Sequence, residues 1–382
     1  MASNKKKILL FSDWYEPGFK AGGPIRSCVN FVQNMQEEYS VYVFTTDRDL
    51  GAGQPYANIE ADKWKVVSGS VYIYYASPRK LTYNNVRKQI VSINADFIYL
   101  NSMFSKYFTI YPLIINRFNK IKSKIILSPR GMLRESAIQF KSFKKNIYLR
   151  ISKYSGLYKN VCFHVVDDSE MADVITHFGP NSQVATIPNF PSVLADRPLF
   201  VKKDTGELSM VFVGRIHPIK NLSYLLFILK EIHFSVNLSI IGSLEDMFFW
   251  EKCNEIIGEL PSNISVKYLG EIPNHELYSI IARHHIFILP TKGENFGHAI
   301  FEALSQGKPV LISNQTPWRN LQELKVGWDV SLKEPHLFYE AIEQAAAFNQ
   351  DEYNIWSRNA WEYARNYVSK LELRSDYSKL FN

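Results

Sequence analysis

The chain has 382 residues, long for one hydrophobic core, so two domains of about 150–200 residues are expected. With 46% hydrophobic and 21% charged residues it reads as an ordinary soluble globular protein, and no apolar run approaches the roughly 18–20 residues that span a bilayer. The net charge of +7 is uneven, roughly +11 over residues 1–190 and roughly −4 over the remainder.

In chain order, a basic N-terminus leads into KILLF (7–11), followed at once by Asp13 and Glu16. That run is short and reads as a first β-strand rather than a signal peptide. Further strand-like runs are YVFTT (42–46), DFIYL (96–100), KIILS (124–128) and VCFHVV (161–166). The second half adds SMVFVG (209–214), NLSIIG (237–242), ISVKYLG (264–270), HIFILP (285–290) and PVLIS (309–313). Most are continuous rather than alternating, as in strands of parallel sheets buried on both faces. Helical patterns lie between them, for example Leu222–Ile232, His275–Ala282 and Ala299–Ser305. The longest apolar stretch, LLFILKEIHFSVNLSIIG, is broken by Lys230, Glu231 and His233. Repeated strand–helix units predict an α/β fold with parallel sheets.

The fresh strand after a proline-bearing, aperiodic stretch places the domain boundary near 189–207. The expected division is 1–190, a linker 191–207, a second domain 208–350, and a helical segment 351–382 packing back toward the first domain. Cys28, Cys162 and Cys253 lie far apart and outside any metal spacing, which predicts reduced thiols in a cytosolic protein.

Ligands of such sheets bind outside the carboxyl ends of the strands, so function is sought in the loops after strands. The first loop, SDWYEPGFKAGGPIRS, opens a helix at Gly22-Gly23-Pro24 with Arg26 in its first turn. Paired glycines let amides approach a ligand, and a helix N-terminus favours anions; a plain structural turn fits the same residues. In GRIHPIKN, Arg215 and Lys220 stand just past a strand end and suit a diphosphate. In TKGENFGHAIFEALSQGKPVL, a helix is expected to begin near Phe296 or Gly297. The amides of Phe296, Gly297 and His298 then lack intrahelical partners and favour a phosphate. Glu294 on the loop and Glu302 on the helix suit vicinal diols instead. Diols at both ends and phosphates between them describe a nucleotide sugar.

GRIHPIKN followed by GENFGHAIFEALSQGKPVL resembles the donor-binding half of family 4 glycosyltransferases of the bacterial surface-polysaccharide type. The likeness extends through EPGFKAGGPIRS, SPRGML (128–133) and IPN (187–189), nearly the whole chain. The resemblance implies the GT-B fold, two facing Rossmann-like domains with an interdomain cleft. It implies that Glu302 binds ribose hydroxyls, Glu294 hydroxyls of the transferred sugar, and Arg215 and Lys220 the leaving diphosphate, with Gly22 and Gly23 amides near the phosphates. It implies retention of configuration, a UDP- or GDP-linked donor, and no metal or other cofactor. Where many relatives carry a histidine near the reacting carbon, this chain reads Ser128-Pro129-Arg130-Gly131, so either Arg130 or a different group serves as the charge stabiliser. Asn221 and Phe190 stand where the family commonly has glycine. His164, inside an apolar strand, reads as structural.

Other readings stay open at this point. A paired-carboxylate hydrolase, a metal-binding Asp47-Arg48-Asp49, a sugar-nucleotide epimerase of the same architecture, and a non-catalytic nucleotide-sugar or lipopolysaccharide-binding protein are the alternatives. Between Lys106 and Arg150 the only acid is Glu135, and Lys120, Lys122, Lys124, Lys141, Lys144 and Lys145 lie among aromatics. This suits either a solvated basic face or an anionic membrane surface. No nucleic-acid motif accompanies the charge. The expectation is a cytoplasmic protein docked peripherally on the inner face of the cytoplasmic membrane, with a lipid-linked saccharide as acceptor.

Overall fold

A computed structural model describes residues 5–119, 121–134, 137–138, 142–370 and 372–382. The chain packs into two compact units, Met1–Phe190 with Glu372–Asn382, and Pro191–Leu371.

The first unit runs β1 (Lys7–Phe11), α1 (Gly23–Met35), β2 (Ser40–Thr46), β3 (Trp64–Ser68), β4 (Val71–Ala76), α2 (Tyr83–Ile93) and β5 (Phe97–Leu100). A π-helical turn (Lys106–Ile110) leads into α3 (Tyr111–Asn119), β6 (Lys124–Leu127), α4 (Ser142–Tyr154), β7 (Val161–Val165), α5 (Asp168–Phe178) and β8 (Gln183–Thr186). The sheet order is β3-β4-β2-β1-β5-β6-β7-β8. All pairs are parallel except the edge pair β3–β4. β5 is buried along its whole length, which is why such strands appear in the sequence as unbroken apolar runs.

The second unit runs β9 (Glu207–Val213), α6 (Leu222–Leu229), β10 (Ser235–Ile241), α7 (Met247–Gly258), β11 (Ile264–Gly270), α8 (Asn274–Ile281) and β12 (Ile286–Leu289). It continues with α9 (His298–Ser305), β13 (Val310–Ser313), β14 (Gly327–Val330), α10 (Pro335–Ala347) and α11 (Gln350–Lys370). Its order is β11-β10-β9-β12-β13-β14, parallel throughout. The α/β architecture with two parallel-sheet domains is therefore as expected.

Residues 191–207, expected as a linker, lie within the second unit. Trp361 Nε1 donates to the Ala195 carbonyl (2.8 Å), Lys308 Nζ to Leu199 (2.8 Å) and Lys203 Nζ to Ala346 (2.8 Å). Burial pushes the Lys308 ammonium down to about 7, the cost of using a lysine as an internal strut. The segment 351–382 divides. Residues up to 371 belong to the second unit, where Trp356 stacks on Trp328 (4.6 Å). The last helix, α12 (Leu373–Leu380), belongs to the first unit, where Tyr377 stacks on Phe190 (4.4 Å).

In each unit the strand order reverses once. In the first the reversal falls between β1 and β5, in the second between β9 and β12. Loops that leave adjacent strands on opposite sides of the sheet open a crevice at that point.

Candidate functional site

In the second unit, the loops after β9 and β12 emerge side by side at the reversal. Thr291 Oγ1 and the Lys292 amide both donate to the Ile219 carbonyl (3.1 and 2.7 Å), clasping one loop to the other. Lys220 and Glu294 are thereby brought together, and Lys220 Nζ donates to Glu294 Oε1. Their side chains are 15% and 12% exposed, so the pair is largely withdrawn from water.

The second cation, Arg215, stands at the start of the same loop after β9, and the neighbouring strand end supplies its partner. Gly242 directly follows β10, and an added Cβ there would lie 1.9 Å from the Gly214 carbonyl oxygen, so only glycine allows the two strand ends to meet. The Ile216 amide then donates to the Ser243 carbonyl (2.7 Å). This contact aligns the loops so that Arg215 donates to Glu245 through Nη1, both about one-third exposed. Each cation therefore arrives matched to a carboxylate. Any anion binding here would have to share these cations with Glu245 and Glu294.

Helix α9 begins at His298, one or two residues later than the sequence pattern indicates. Gly297 caps it with φ +79, and a Cβ there would lie 2.8 Å from Ile300 Cδ1 and 3.3 Å from Trp318 Nε1. Trp318 Nε1 donates to the Phe296 carbonyl (2.7 Å), and the Glu294 amide to the Gln315 carbonyl (3.1 Å), which fixes the approach to the helix. The first amides of the helix have no intrahelical carbonyl and carry the positive end of its dipole. Glu302 lies four residues after His298, one turn along the same face, at about 6 Å of axial rise. It is buried, and Oε1 accepts from Ser192 Oγ (3.0 Å).

The structure thus gathers Lys220, Glu294, the start of α9 and Glu302 around one loop–helix junction, with Arg215 at the beginning of the loop that carries Lys220. Glu245 and Ser192 were missed by the sequence reading. Glu245 had a usable signal, since SLED directly follows an apolar strand and so falls on the same edge. Ser192 had none, because it lies in the stretch read as linker.

In the first unit, Gly22 caps α1 and its carbonyl accepts from the Ile25 and Arg26 amides (3.1 and 3.2 Å), with Gly23 as the first helical residue. The Asp47-Arg48-Asp49 carboxylates face inward. Asp47 pairs with Arg48 (2.8 Å), and Asp49 Oδ2 accepts the Phe19 and Lys20 amides (2.8 and 3.2 Å), holding the loop that precedes Gly22. Asp13, another residue the sequence reading did not single out, follows β1 and accepts from Ser105 Oγ (2.7 Å). Burial pushes its carboxyl up to about 6.

Arg130 follows β6, and its guanidinium donates to Asn189, Tyr99 and Asn101. His164 is buried between Tyr99 Oη (2.7 Å) and the Ile187 carbonyl (2.8 Å), and burial together with the Arg130 charge pushes its pKa down to about 3.

The basic segment divides. Lys120 and Lys141 lie outside the described residues, while Lys122 and Lys144 are exposed. Lys145 is turned inward, donating to the Ala137 carbonyl (2.6 Å) above the Phe104 ring. Lys124 does not belong with the others. It begins β6, at the amino end of the strand, away from the loops that follow the strands, and its ammonium donates to the Leu380 carbonyl (2.9 Å).

Residues 200–362 match the family model described as glycosyl transferases group 1, so the second unit carries a glycosyltransferase group 1 domain. Two curated relatives are similar in part. One is an uncharacterized 41.2 kDa protein in the cps region of Klebsiella pneumoniae, 25% identical over 228 residues (57% of this chain, 60% of that one). The other is O-antigen chain mannosyltransferase B of Escherichia coli, 28% identical over 110 residues (28% of each chain). The chain thus spans less than two thirds of either relative.

Among solved structures, sucrose-phosphate synthase from Thermosynechococcus elongatus superposes with a TM-score of 0.71 at 16% identity, covering 99% of both chains. HepE of Anabaena, in complex with UDP and glucose, gives 0.67 at 15% identity, covering 98% of both. WaaG, a glycosyltransferase involved in lipopolysaccharide biosynthesis, gives 0.65 at 15% identity, covering 98% of both. These structural likenesses concern the fold, the two-domain α/β architecture expected as GT-B.

Proposed function

We propose that the chain is a retaining glycosyltransferase that moves a sugar from a UDP- or GDP-linked donor to a hydroxyl of a lipid-linked saccharide in surface-polysaccharide synthesis, without a metal ion. The observation that carries this reading is the junction at the β9–β12 reversal. It combines a largely buried Lys220–Glu294 pair, a helix start, and a buried Glu302 one turn further on. The match to the glycosyl transferases group 1 model, the named activity of one partial relative, the mannosyltransferase, and that of WaaG support it, as do the UDP and glucose bound by HepE.

The chemical problem in such a transfer is charge. As the glycosidic bond lengthens, negative charge grows on the departing diphosphate. Lys220, Arg215 and the first amides of α9 stabilise that charge more than the ground state, which lowers the barrier. Glu294 accepts from hydroxyls of the transferred sugar and holds Lys220 in place. Glu302 accepts from the ribose diol, with Ser192 fixing its rotamer. Arg130 is assigned as a charge stabiliser on the first unit.

A mass-spectrometric screen of nucleotide sugars with candidate acceptors tests the activity. Nucleoside diphosphate should appear only when an acceptor hydroxyl is supplied. Epimerised donor, or intact donor after long incubation with every acceptor, rejects transfer.

We also propose peripheral docking on an anionic membrane leaflet. No described helix is long and apolar enough to cross a membrane. Phe143, Ile147 and Ile151, spaced i, i+4, i+8 on α4, are exposed on one face, with Lys144, Arg150 and Lys153 exposed alongside. Burying apolar side chains gives about 1.5–3 kcal/mol each, and each nearby Lys or Arg adds about 1 kcal/mol at an anionic surface. Flotation with anionic vesicles should therefore be salt-sensitive and fall at least tenfold in a Phe143→Ser/Ile151→Ser variant. Equal recovery of wild type and variant removes this face from the reading.

A further inference from the structure

We propose that the first unit holds an oxyanion-binding site centred on Arg130 and Asn101, taking a phosphoryl or carboxylate group. The location is the carboxyl edge of β5 and β6, beside the β1–β5 reversal. Asn101 directly follows β5, its amide donating to the Phe11 carbonyl at the end of β1 (3.1 Å). Arg130 stands three residues past β6.

The backbone there is held in an unfavourable shape. Arg130 has φ 56 and Gly131 has φ 73. A non-glycine residue in the left-handed region is strained and persists only when its surroundings impose it. Here Glu170 imposes it, Oε1 accepting the Gly131 amide (2.6 Å) and Oε2 the Val166 amide (3.0 Å). The turn delivers the guanidinium to one place.

At that place the charge meets only neutral oxygens. The two terminal nitrogens donate to Asn189 Oδ1, to Tyr99 Oη (3.1 Å) and to Asn101 Oδ1 (2.6 Å). His164 Nε2 faces a carbonyl and must carry the proton, so Nδ1 accepts from Tyr99, which is protonated. Burial pushes the Tyr99 phenol up, and His164 is neutral, so neither offsets the cation. Glu170 acts on the Arg130 charge only through space, since both its oxygens are engaged by backbone amides rather than by the guanidinium.

Two donors at the centre remain. Arg130 Nε and Asn101 Nδ2 are buried and have no hydrogen-bond partner among the described residues. Asn101 is 5% exposed, whereas Arg130 is partly exposed. Unpaired buried donors around a cation with no bonded carboxylate are matched by a group that brings both lone pairs and negative charge. Water supplies the first and not the second.

The inference rests on the transferase reading only for which substrate brings the oxyanion; the site itself is tested with inorganic phosphate. Asn101→Asp keeps the side-chain shape and sets a carboxylate against Arg130. Thermal denaturation of the full chain is followed against phosphate at constant ionic strength in chloride. Wild type should be stabilised by phosphate, and the variant should need at least tenfold more phosphate for the same shift. Its melting temperature without phosphate should equal or exceed the wild-type value.

Arg130→Lys, checked for folding by circular dichroism, keeps the charge and lacks Nε. Its phosphate affinity, read by ³¹P line broadening, should fall at least fivefold. Glucuronate serves as the carboxylate arm, and a response to it instead of phosphate assigns the site to a uronate. Indistinguishable phosphate responses in wild type and both variants mean that water alone fills the cluster, and overturn the proposal. The Asn101-dependent response should persist in Lys220→Met. Loss of nucleoside diphosphate binding there addresses the donor site and leaves this one untouched.

Discussion

Replacing Lys220 by methionine should separate what the Lys220–Glu294 pair does for the fold from what it does for the reaction. The two side chains are 15% and 12% exposed. Removing one partner of a fully buried ion pair costs about 3–5 kcal/mol, because the other charge stays desolvated. The residual exposure lets water relieve part of that, so Lys220→Met should cost about 2–4 kcal/mol. Adding Glu294→Gln removes the stranded charge and should bring stability within about 1 kcal/mol of wild type. Turnover behaves differently. The single and the double variant both lack the cation, and both should lose about 10²–10³ in kcat, the scale of one preorganised donor. Urea unfolding followed by tryptophan fluorescence is the assay. Trp250, Trp318, Trp328, Trp356 and Trp361 all lie in the second unit, so the signal reports mainly on the affected body. A double variant as unstable as the single one, or one whose turnover recovers with its stability, refutes the reasoning.

Glu302→Ala should weaken nucleoside diphosphate binding about 10–100-fold in calorimetry, the value of one or two hydrogen bonds to a charged group; unchanged affinity would remove the ribose role. Asp13→Asn should behave in the opposite sense to most buried-site substitutions. The folded pKa of about 6 lies above the ordinary 3.8, so the fold favours the protonated form. That contribution is fully present below about pH 4 and is lost as pH rises through 6, leaving the charged carboxylate costing about 2–3 kcal/mol at pH 7.5. The asparagine variant should therefore be more stable by about 1–3 kcal/mol at pH 7.5 and no different near pH 4; an equal shift at both values contradicts the burial argument. Gly242→Ala forces a Cβ to 1.9 Å from the Gly214 carbonyl oxygen, so the β9 and β10 strand ends must part. We expect a loss of about 3 kcal/mol or more in urea, and a wild-type midpoint would show that the strand ends move freely.

The strands that the sequence makes plain are those buried on both faces, and the ones it hides are mostly edges. β3 and β8 close the two sides of the first sheet, and β14 ends the second. In β3, Val66 and Val67 are exposed, and β8 reads QVAT, so neither presents an apolar run. β4, VYIYYA, is an apolar run absent from the strands expected above, and its neighbour β3 returns antiparallel, which a parallel-sheet expectation does not supply. Residues 191–207 look like a linker because they lack periodicity. Their adhesion to the second unit comes from side chains far along the chain, Trp361 and Lys308 among them.

The same distinction governs the site. Lys220, Glu294 and Glu302 were legible because each stands at a fixed offset from a strand end or a helix start, and those offsets are local. What each of them touches is a tertiary fact. Arg215 was read as a cation for phosphate, and the structure pairs it with Glu245, thirty residues later on another strand end. Arg130 was legible as a substitution in a familiar place. Only packing shows that its neighbours Tyr99, His164, Asn101 and Asn189 are all uncharged, and that its conformation is maintained by a glutamate forty residues away. A cation so surrounded differs from Lys220 in kind. Lys220 must exchange part of its carboxylate contact for substrate, whereas Arg130 has no bonded carboxylate to give up. Anion binding at Lys220 should therefore be tighter in Glu294→Gln than in the wild type, read by calorimetry with inorganic phosphate, while binding at Arg130 should be indifferent to that change.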